Sequence, residues 1–528
     1  MPDPATDGPR SFVDAFAAGE YDEFFGIPAG DLAAGLARRP SADPNALADA
    51  LRHQAYDRCD RPAQLEAIER LRDPATRAIV SGQQAGLLLG PMFTLSKAIT
   101  AIRLAQRESR PERPLVAVFW IASQDHDTAE VDHAWLQGSD ERLHRLELPY
   151  PPNRPTGRID WSQAWSEQVL TALREVYGDG SAARDARDLA AAAFERGGTL
   201  ADVFACTLSA LLGEDGLIVL DPMREEAARL FGPVLRRELD DPLQGPLAIR
   251  EAGEALKARG VRPQLGRAED ATNLFVEDED GRRSLLRFDG RAFHLDGHPD
   301  ERISVTDLGR LLDADPARIT PAAGLRPVVQ DAVLPTAAVV VGPGELRYFA
   351  QLRGVYQGHQ VPMPLVWPRA HVTVLEPPVA RILAKYGLDA ERFVADPEGE
   401  AVKLSLALHG HAERFEEAER RLRSDTEELL RAVAAIDPTL AGPVRRSEAT
   451  IQRTLERLRV RAARALARRD SVTSDQFARL RSHLLPDGRP QERVLSPFSF
   501  FAKFGVGPVM ERLRTIQPQG PQQLTIDP

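Results

Sequence analysis

The chain has 528 residues, more than one hydrophobic core usually sustains, so two or more structural units are expected. Its hydrophobic fraction of 43% and charged fraction of 27% are ordinary for a globular protein, and a formal charge of −11 argues against nucleic acid as the main ligand. No apolar run approaches membrane-spanning length, and the start MPDPATDGPR lacks the basic and apolar regions of a secretory leader, so a cytoplasmic protein with no membrane partner is expected.

Cys59 and Cys206 stand far apart in no ligand-spaced motif, which suggests neither a disulfide framework nor a cysteine metal site. The basic residues are mostly arginine. The five lysines are Lys97, Lys257, Lys385, Lys403 and Lys503, and a lysine kept in such a background suits a place where a guanidinium does not serve.

Residues 1–77 read as a helical, proline-punctuated lead-in whose Phe12, Phe16, Phe24 and Phe25 are core candidates. The central stretch follows. A strand at 78–80 opens into the glycine-rich loop Ser81-Gly82-Gln83-Gln84-Ala85-Gly86-Leu87-Leu88-Leu89-Gly90-Pro91, a helix is predicted over 92–108, and a strongly apolar strand at 115–122 runs into Ser123-Gln124-Asp125-His126-Asp127. Strand, loop, helix and strand make a parallel crossover, and ligands bind such sheets outside the carboxyl ends of the strands.

Helical patterns at 163–177 and 188–212 lead to a strand at 217–220, and a helix follows over 224–239. Short segments at 273–276, 284–288 and 292–295, separated by Asp-Gly and Gly-Arg turns, suggest a small inserted antiparallel meander. A helix at 305–313 precedes Gln330-Asp331 and Leu334-Pro335-Thr336. Next come a strand at 337–341, the turn Gly342-Pro343-Gly344-Glu345 opening a helix to 353, and a strand at 363–367 before Pro368-Arg369.

Leu408, Phe415, Leu422, Leu429 and Ile436 recur every seven residues, as do Val444, Ile451, Leu458, Ala465 and Val472 beyond a Pro/Gly turn. This predicts an antiparallel helical hairpin whose second apolar seam is open either to a partner or to its own core. Phe498, Phe500, Phe501 and Phe504 require burial, so the tail is expected to return to the core. The expected divisions are 1–145, 146–325 and 326–397 for the core and its insertions, 398–484 for the hairpin and 485–528 for the tail.

Three constellations could carry chemistry. The loop 81–91 permits close backbone approach at Gly82, Gly86 and Gly90 and leads to a helix N-terminus suited to an anion, with Gln83 and Gln84 as neutral donors and Lys97 two turns on. Neither the dinucleotide fingerprint nor the P-loop spacing is matched, so a plain tight turn is the alternative. Asp125, His126 and Asp127 at a strand end suit a general base, a metal ligand set or hydroxyl binding, against a helix cap with a packed histidine. The third constellation comprises Gln330, Asp331, Thr336, Gly342, Gly344 and Glu345, a second anion-compatible turn and helix start.

The ordered set Ser81-Gly82-Gln83-Gln84-Ala85-Gly86-Leu87, Gly90-Pro91, Lys97, Val118-Phe119-Trp120-Ile121-Ala122, Asp125-His126-Asp127, Gln330-Asp331, Leu334-Pro335-Thr336, Gly342-Pro343-Gly344-Glu345, Pro368-Arg369, Gln491-Glu492-Arg493 and Lys503-Phe504-Gly505 resembles the bacillithiol biosynthesis cysteine-adding enzymes. Ser81 stands where that family usually has threonine, and Gln124 where it usually has an acidic residue. The resemblance implies an α/β fold: a Rossmann-like parallel-sheet core with connecting insertions and a C-terminal antiparallel coiled-coil hairpin used for homodimerisation. It also implies a ligase that joins cysteine to glucosaminyl malate, with adenine nucleotide (ATP or ADP) binding and no metal. By that likeness Asp125, His126 and Asp127 are the catalytic candidates, and Ser81, Gln83, Gln84, Gly86, Gly90, Lys97, Gln330, Asp331, Thr336, Gly342, Gly344, Glu345, Arg369 and Lys503 the binding candidates. Two competing readings are a metal-assisted hydrolase centred on the Asp-His-Asp triplet and a coiled-coil adaptor without catalysis.

Overall fold

A computed structural model describes residues 11–38, 43–58 and 61–526; Cys59 and the first ten residues of the lead-in lie outside them. The chain divides into two units. The first takes the residues up to Val372 together with Leu495–Leu524, and the second takes Thr373–Val494 together with the residues from Thr525.

The first unit is built on five parallel strands: β1 (Arg77–Gln83), β2 (Leu115–Ile121), β3 (Ile218–Leu220), β4 (Thr336–Val341) and β5 (Leu365–Pro368). Every residue of β2, β3 and β4 is buried, as expected for a parallel sheet covered on both faces. Their order is β3-β2-β1-β4-β5. The chain therefore steps outward from β1 through β2 to β3, then returns to the other side of β1 to lay down β4 and β5. The carboxyl ends of β1 and β4 flank the point where this order reverses, and a crevice forms there because the connections leave in opposite directions.

β1 runs three residues beyond the expected 78–80 because Gly82 pairs with Trp120 in the ladder. A Cβ at position 82 would lie 2.6 Å from the Trp120 carbonyl oxygen, so only glycine lets the two backbones approach this closely. The helix after it, α1 (Phe93–Glu108), buries Leu95, Ile99 and Ile102 on one side and Lys97 on the opposite side.

Three expectations change in detail. The helix predicted over 188–212 is two, Ser181–Arg196 and Leu200–Leu212, because Gly197 and Gly198 take φ of 66° and 84°. The helix predicted to run to 353 stops at Phe349, and another spans Arg353–His359. The meander is a five-stranded antiparallel sheet of Ala271–Glu277, Arg283–Phe288, Phe293–Leu295, His298–Ile303 and Ile319–Pro321. His298–Ile303 is a polar, exposed edge strand with no apolar alternation, and Ile319–Pro321 is too short to show a period.

In the second unit, Ala412–Ile436 and Ala441–Ala467 form the hairpin around the turn Pro438–Leu440, tied by an Arg459–Glu419 pair at 3.7 Å. Phe415 packs inward against Val402, Leu406 and Ala463, whereas Leu429, Ile436, Ile451, Leu458 and Val472 are exposed. Leu408 ends a separate helix, Pro397–Leu408, because Gly410 with φ 69° breaks the chain before Ala412. Among the described residues no helix is long and apolar enough to cross a membrane.

Candidate active site

Two polar chains meet at the carboxyl end of β1, one on each side of the Gln83–Gln84 peptide. On the β4 side, Lys97 Nζ donates to the Gly82 carbonyl at 3.0 Å and to Gln83 Oε1 at 2.8 Å, and it pairs with the Glu345 carboxylate. Glu345 also accepts from the Gly342 amide at 2.9 Å, which fixes the helix Pro343–Phe349 at the end of β4. Burial pushes the Lys97 ammonium down from its ordinary value; Glu345 opposes that, while Arg369 and Arg326 act with burial. Two buried cations, Lys97 and Arg369, and the half-buried Arg326 thus surround one carboxylate, which leaves this wall of the crevice receptive to an anionic group.

On the β2 side, Gln84 Nε2 donates to Asp125 Oδ2 at 2.7 Å. Asp125 Oδ1 accepts from the amides of His126 at 2.8 Å and Asp127 at 3.3 Å. The Asp125 and His126 side chains are 38% and 27% exposed, so both remain open to a ligand. Behind them Ser123 is buried and donates to Asp221, the residue that follows β3, and Asp221 also accepts from the Met223 amide at 2.9 Å. A cavity of about 530 Å³ opens at this end of β3, lined by Gly157, Arg158, Asp202, Asp221, Met223 and Asp315 among others. That is room for a substrate-sized molecule at the same edge of the sheet.

His126 has a partner that no motif announced. Arg283, at the start of the inserted strand Arg283–Phe288, places Nη1 3.1 Å from His126 Nδ1. Its Nε donates to Thr320 Oγ1 at 2.8 Å and its Nη2 to the Pro321 carbonyl at 2.8 Å, and its guanidinium lies 4.0 Å from the Phe275 ring centroid. Burial brings Arg283 down to about 10, against the pull of Asp125 and Glu277. Burial and then the Arg283 charge hold His126 below the ordinary histidine value, while Asp125 and Asp127 pull the other way. A guanidinium against Nδ1 takes that nitrogen away from any metal ion.

The remaining candidates are distributed as follows. Ser81 is buried within β1, and its hydroxyl has no hydrogen-bond partner among the described residues. Gly86 and Gly90 are buried: the Met92 amide donates to the Leu495 carbonyl at 2.8 Å and Ser496 Oγ to the Leu88 carbonyl at 2.8 Å, so the returning tail covers the loop. The part of the loop left half-exposed is therefore 82–84, and Gly90, with φ 61°, serves the turn rather than an open helix end. Gln330 and Asp331 are buried beneath the crevice, where Gln330 accepts from Arg326 at 2.9 Å and Asp331 accepts from the Tyr356 hydroxyl at 2.5 Å. Thr336 does not join the others: it begins β4 opposite Ala78, roughly 17 Å of strand away from the carboxyl end. Gly344 is exposed, Arg369 is buried and donates to Ser96 Oγ at 3.2 Å, and Lys503 lies 5.7 Å from the Phe500 ring centroid on the helix Phe498–Phe504.

Comparison with known proteins bears on both units. The family model for "Bacillithiol biosynthesis BshC, N-terminal Rossmann-like domain" matches residues 31–370, and that for "Bacillithiol biosynthesis BshC, C-terminal coiled-coil domain" matches residues 372–527. The chain belongs to the bacillithiol biosynthesis BshC family. A relative from Thermus thermophilus, named "Putative cysteine ligase BshC", is 42% identical over 90% of this chain and 93% of its own length. Relatives of the same name from Salinibacter ruber and Geobacillus thermodenitrificans are each 34% identical, over 90% of this chain and 87% and 89% of their own lengths. The Rossmann-like core and the coiled coil expected from the motif set are thus those of the BshC family. What the motifs lacked was Arg283 and its supports Thr320 and Phe275, which reach the crevice only because the inserted sheet folds over His126.

Proposed function

We propose that this BshC-family protein is a ligase that joins the carboxyl group of cysteine to the amino group of glucosaminyl malate, the last step of bacillithiol synthesis, in the cytoplasm. The supporting observation is the meeting of an anion-receptive wall, Lys97 with Arg326 and Arg369, and a wall that carries the proton acceptor Asp125 beside His126, at adjacent residues Gln83 and Gln84. The relatives' printed name, cysteine ligase, agrees with that chemistry.

Amide formation from a carboxylate requires an activated acyl group. In the proposed reaction ATP supplies it: the cysteine carboxylate attacks the α-phosphorus and releases pyrophosphate, giving an acyl adenylate, or attacks the γ-phosphorus and releases ADP, giving an acyl phosphate; the neutral amine then attacks the acyl carbon, and AMP or phosphate leaves with the electron pair of the broken bond. Gln83 and the Lys97 wall hold anionic groups of substrate or nucleotide. Asp125, steered by Gln84, orients the amine and takes its proton. Asp127, exposed beside it, serves the sugar hydroxyls.

The reaction is tested by mass spectrometry of the protein incubated with cysteine, glucosaminyl malate and ATP. The cysteinyl amide is expected together with AMP or ADP, and nucleotide turnover without any amide would dismiss the reading.

The exposed seam of the hairpin is proposed to bind a second copy of the chain. Leu429, Ile436 and Leu458 are 52%, 79% and 56% exposed, a row of large apolar side chains that solvent does not favour. Light scattering is expected to give a dimer for the wild type and a monomer for Leu429→Glu/Leu458→Glu; an unchanged mass in the variant sets the seam aside as an interface.

A further inference from the structure

We propose that Arg283 is a positioning residue for the ligation: it fixes His126 as a neutral imidazole with its proton on Nε2, so that His126 donates a hydrogen bond to the substrate and the proton acceptor is Asp125. The inference rests on the ligase reading and assigns the roles within its site.

The shorter contact sets the arrangement: His126 Nδ1 lies 3.1 Å from Arg283 Nη1 and 3.8 Å from Asp125 Oδ1, beyond hydrogen-bond distance. A guanidinium only donates, so the contact of 3.1 Å between Arg283 Nη1 and His126 Nδ1 makes Nδ1 the acceptor. A neutral imidazole whose Nδ1 accepts carries its proton on Nε2, and that nitrogen has no partner among the described residues. Arg283 itself cannot turn away. Nε is held by Thr320, Nη2 by the Pro321 carbonyl, and the plane rests on Phe275, whose ring also faces the imidazole at 5.3 Å between centroids. These anchors come from two strands of the inserted sheet and Arg283 from a third, so that sheet sets the state of a residue on the core sheet.

The charged groups around His126 are Asp125 and Asp127 from its own segment and Arg283 from the inserted sheet, with Glu277 acting on Arg283. The two aspartates favour an imidazolium, and a second proton on Nδ1 would point at the guanidinium. Burial and Arg283 prevail and the ring is held neutral. An Nε2–H can polarise a carbonyl or phosphoryl oxygen but cannot take the proton of an attacking amine, so that proton passes to Asp125 Oδ2, the oxygen that Gln84 steers.

The test is nitrogen NMR of the full-length protein labelled with ¹⁵N-histidine, with His126 assigned from the missing signal in His126→Gln. The wild type is expected to show the Nε2–H tautomer and a titration midpoint below the ordinary value of about 6.5. Arg283→Met is expected to lose the fixed tautomer and move the midpoint upward, and Arg283→Lys to restore the midpoint in part. Should Arg283→Met fail to fold, the wild-type spectrum still decides: an Nδ1–H tautomer, or a midpoint at or above the ordinary value, overturns the proposal. In the amide assay His126→Gln, which can place a side-chain N–H near the same position, is expected to retain at least tenfold more activity than His126→Ala; equal losses would return the base role to His126. Absence of amide from the wild type would instead count against the ligase reading and leave the tautomer result standing.

Discussion

Lys97→Met is expected to cost about 3 kcal/mol of stability and to slow amide formation by at least about 100-fold. The side chain is 3% exposed and serves three acceptors: the Gly82 carbonyl, Gln83 Oε1 and the Glu345 carboxylate. Removing one partner of a buried pair leaves the other charge desolvated, at a cost of about 3–5 kcal/mol. Glu345 is 27% exposed and keeps the Gly342 amide, which places the loss at the low end of that range. Urea unfolding measures the stability and the amide assay measures the rate. The double variant Lys97→Met/Glu345→Gln separates the two effects: with the orphaned charge gone, most of the stability is expected to return while the rate stays low. A double variant that regains both would make Lys97 a strut and nothing more.

Much of this fold is written in local sequence, and the site shows where local sequence stops. β2 is legible because Leu115–Ile121 is an unbroken apolar run whose length and aromatic content suit a buried strand. β1 is legible only in part, since Gly82 looks like loop until Trp120 is placed beside it. The position of β4 next to β1 cannot be read from either strand, because apolar strands of this kind pair with many neighbours; it is decided by how the intervening helices and the inserted sheet cover the two faces. Position in a motif also misleads. Thr336 lies in a motif with Leu334 and Pro335, yet the Pro335 carbonyl accepts from the Ala78 amide at 2.9 Å, so that motif docks the start of β4 at the edge far from the crevice. Arg283 shows the reverse: an arginine in an unremarked strand reaches the imidazole because the turn between Ala271–Glu277 and Arg283–Phe288 puts it opposite Glu277.

Asp125→Asn is expected to keep the fold and lose the chemistry. Asparagine has nearly the same shape. Its oxygen can accept from the His126 and Asp127 amides as Oδ1 does, and the Gln84 amide can turn to offer its oxygen to the new NH₂. With the side chain 38% exposed, the exchange buries no new unpaired group, and a change in stability within about 1 kcal/mol is expected. The rate is another matter, because an amide nitrogen has no basic lone pair for the proton of the attacking amine. Loss of a positioned general base slows such a step by about 10²–10⁴-fold. The most direct measurement is therefore the initial rate of cysteinyl amide formation by wild type and by Asp125→Asn, each at saturating cysteine, glucosaminyl malate and ATP, with thermal unfolding recorded on the same samples. A drop of about 100-fold or more with unfolding unchanged is the predicted result; a variant that forms the amide at the wild-type rate would contradict the placement of the reaction at the ends of β1 and β2.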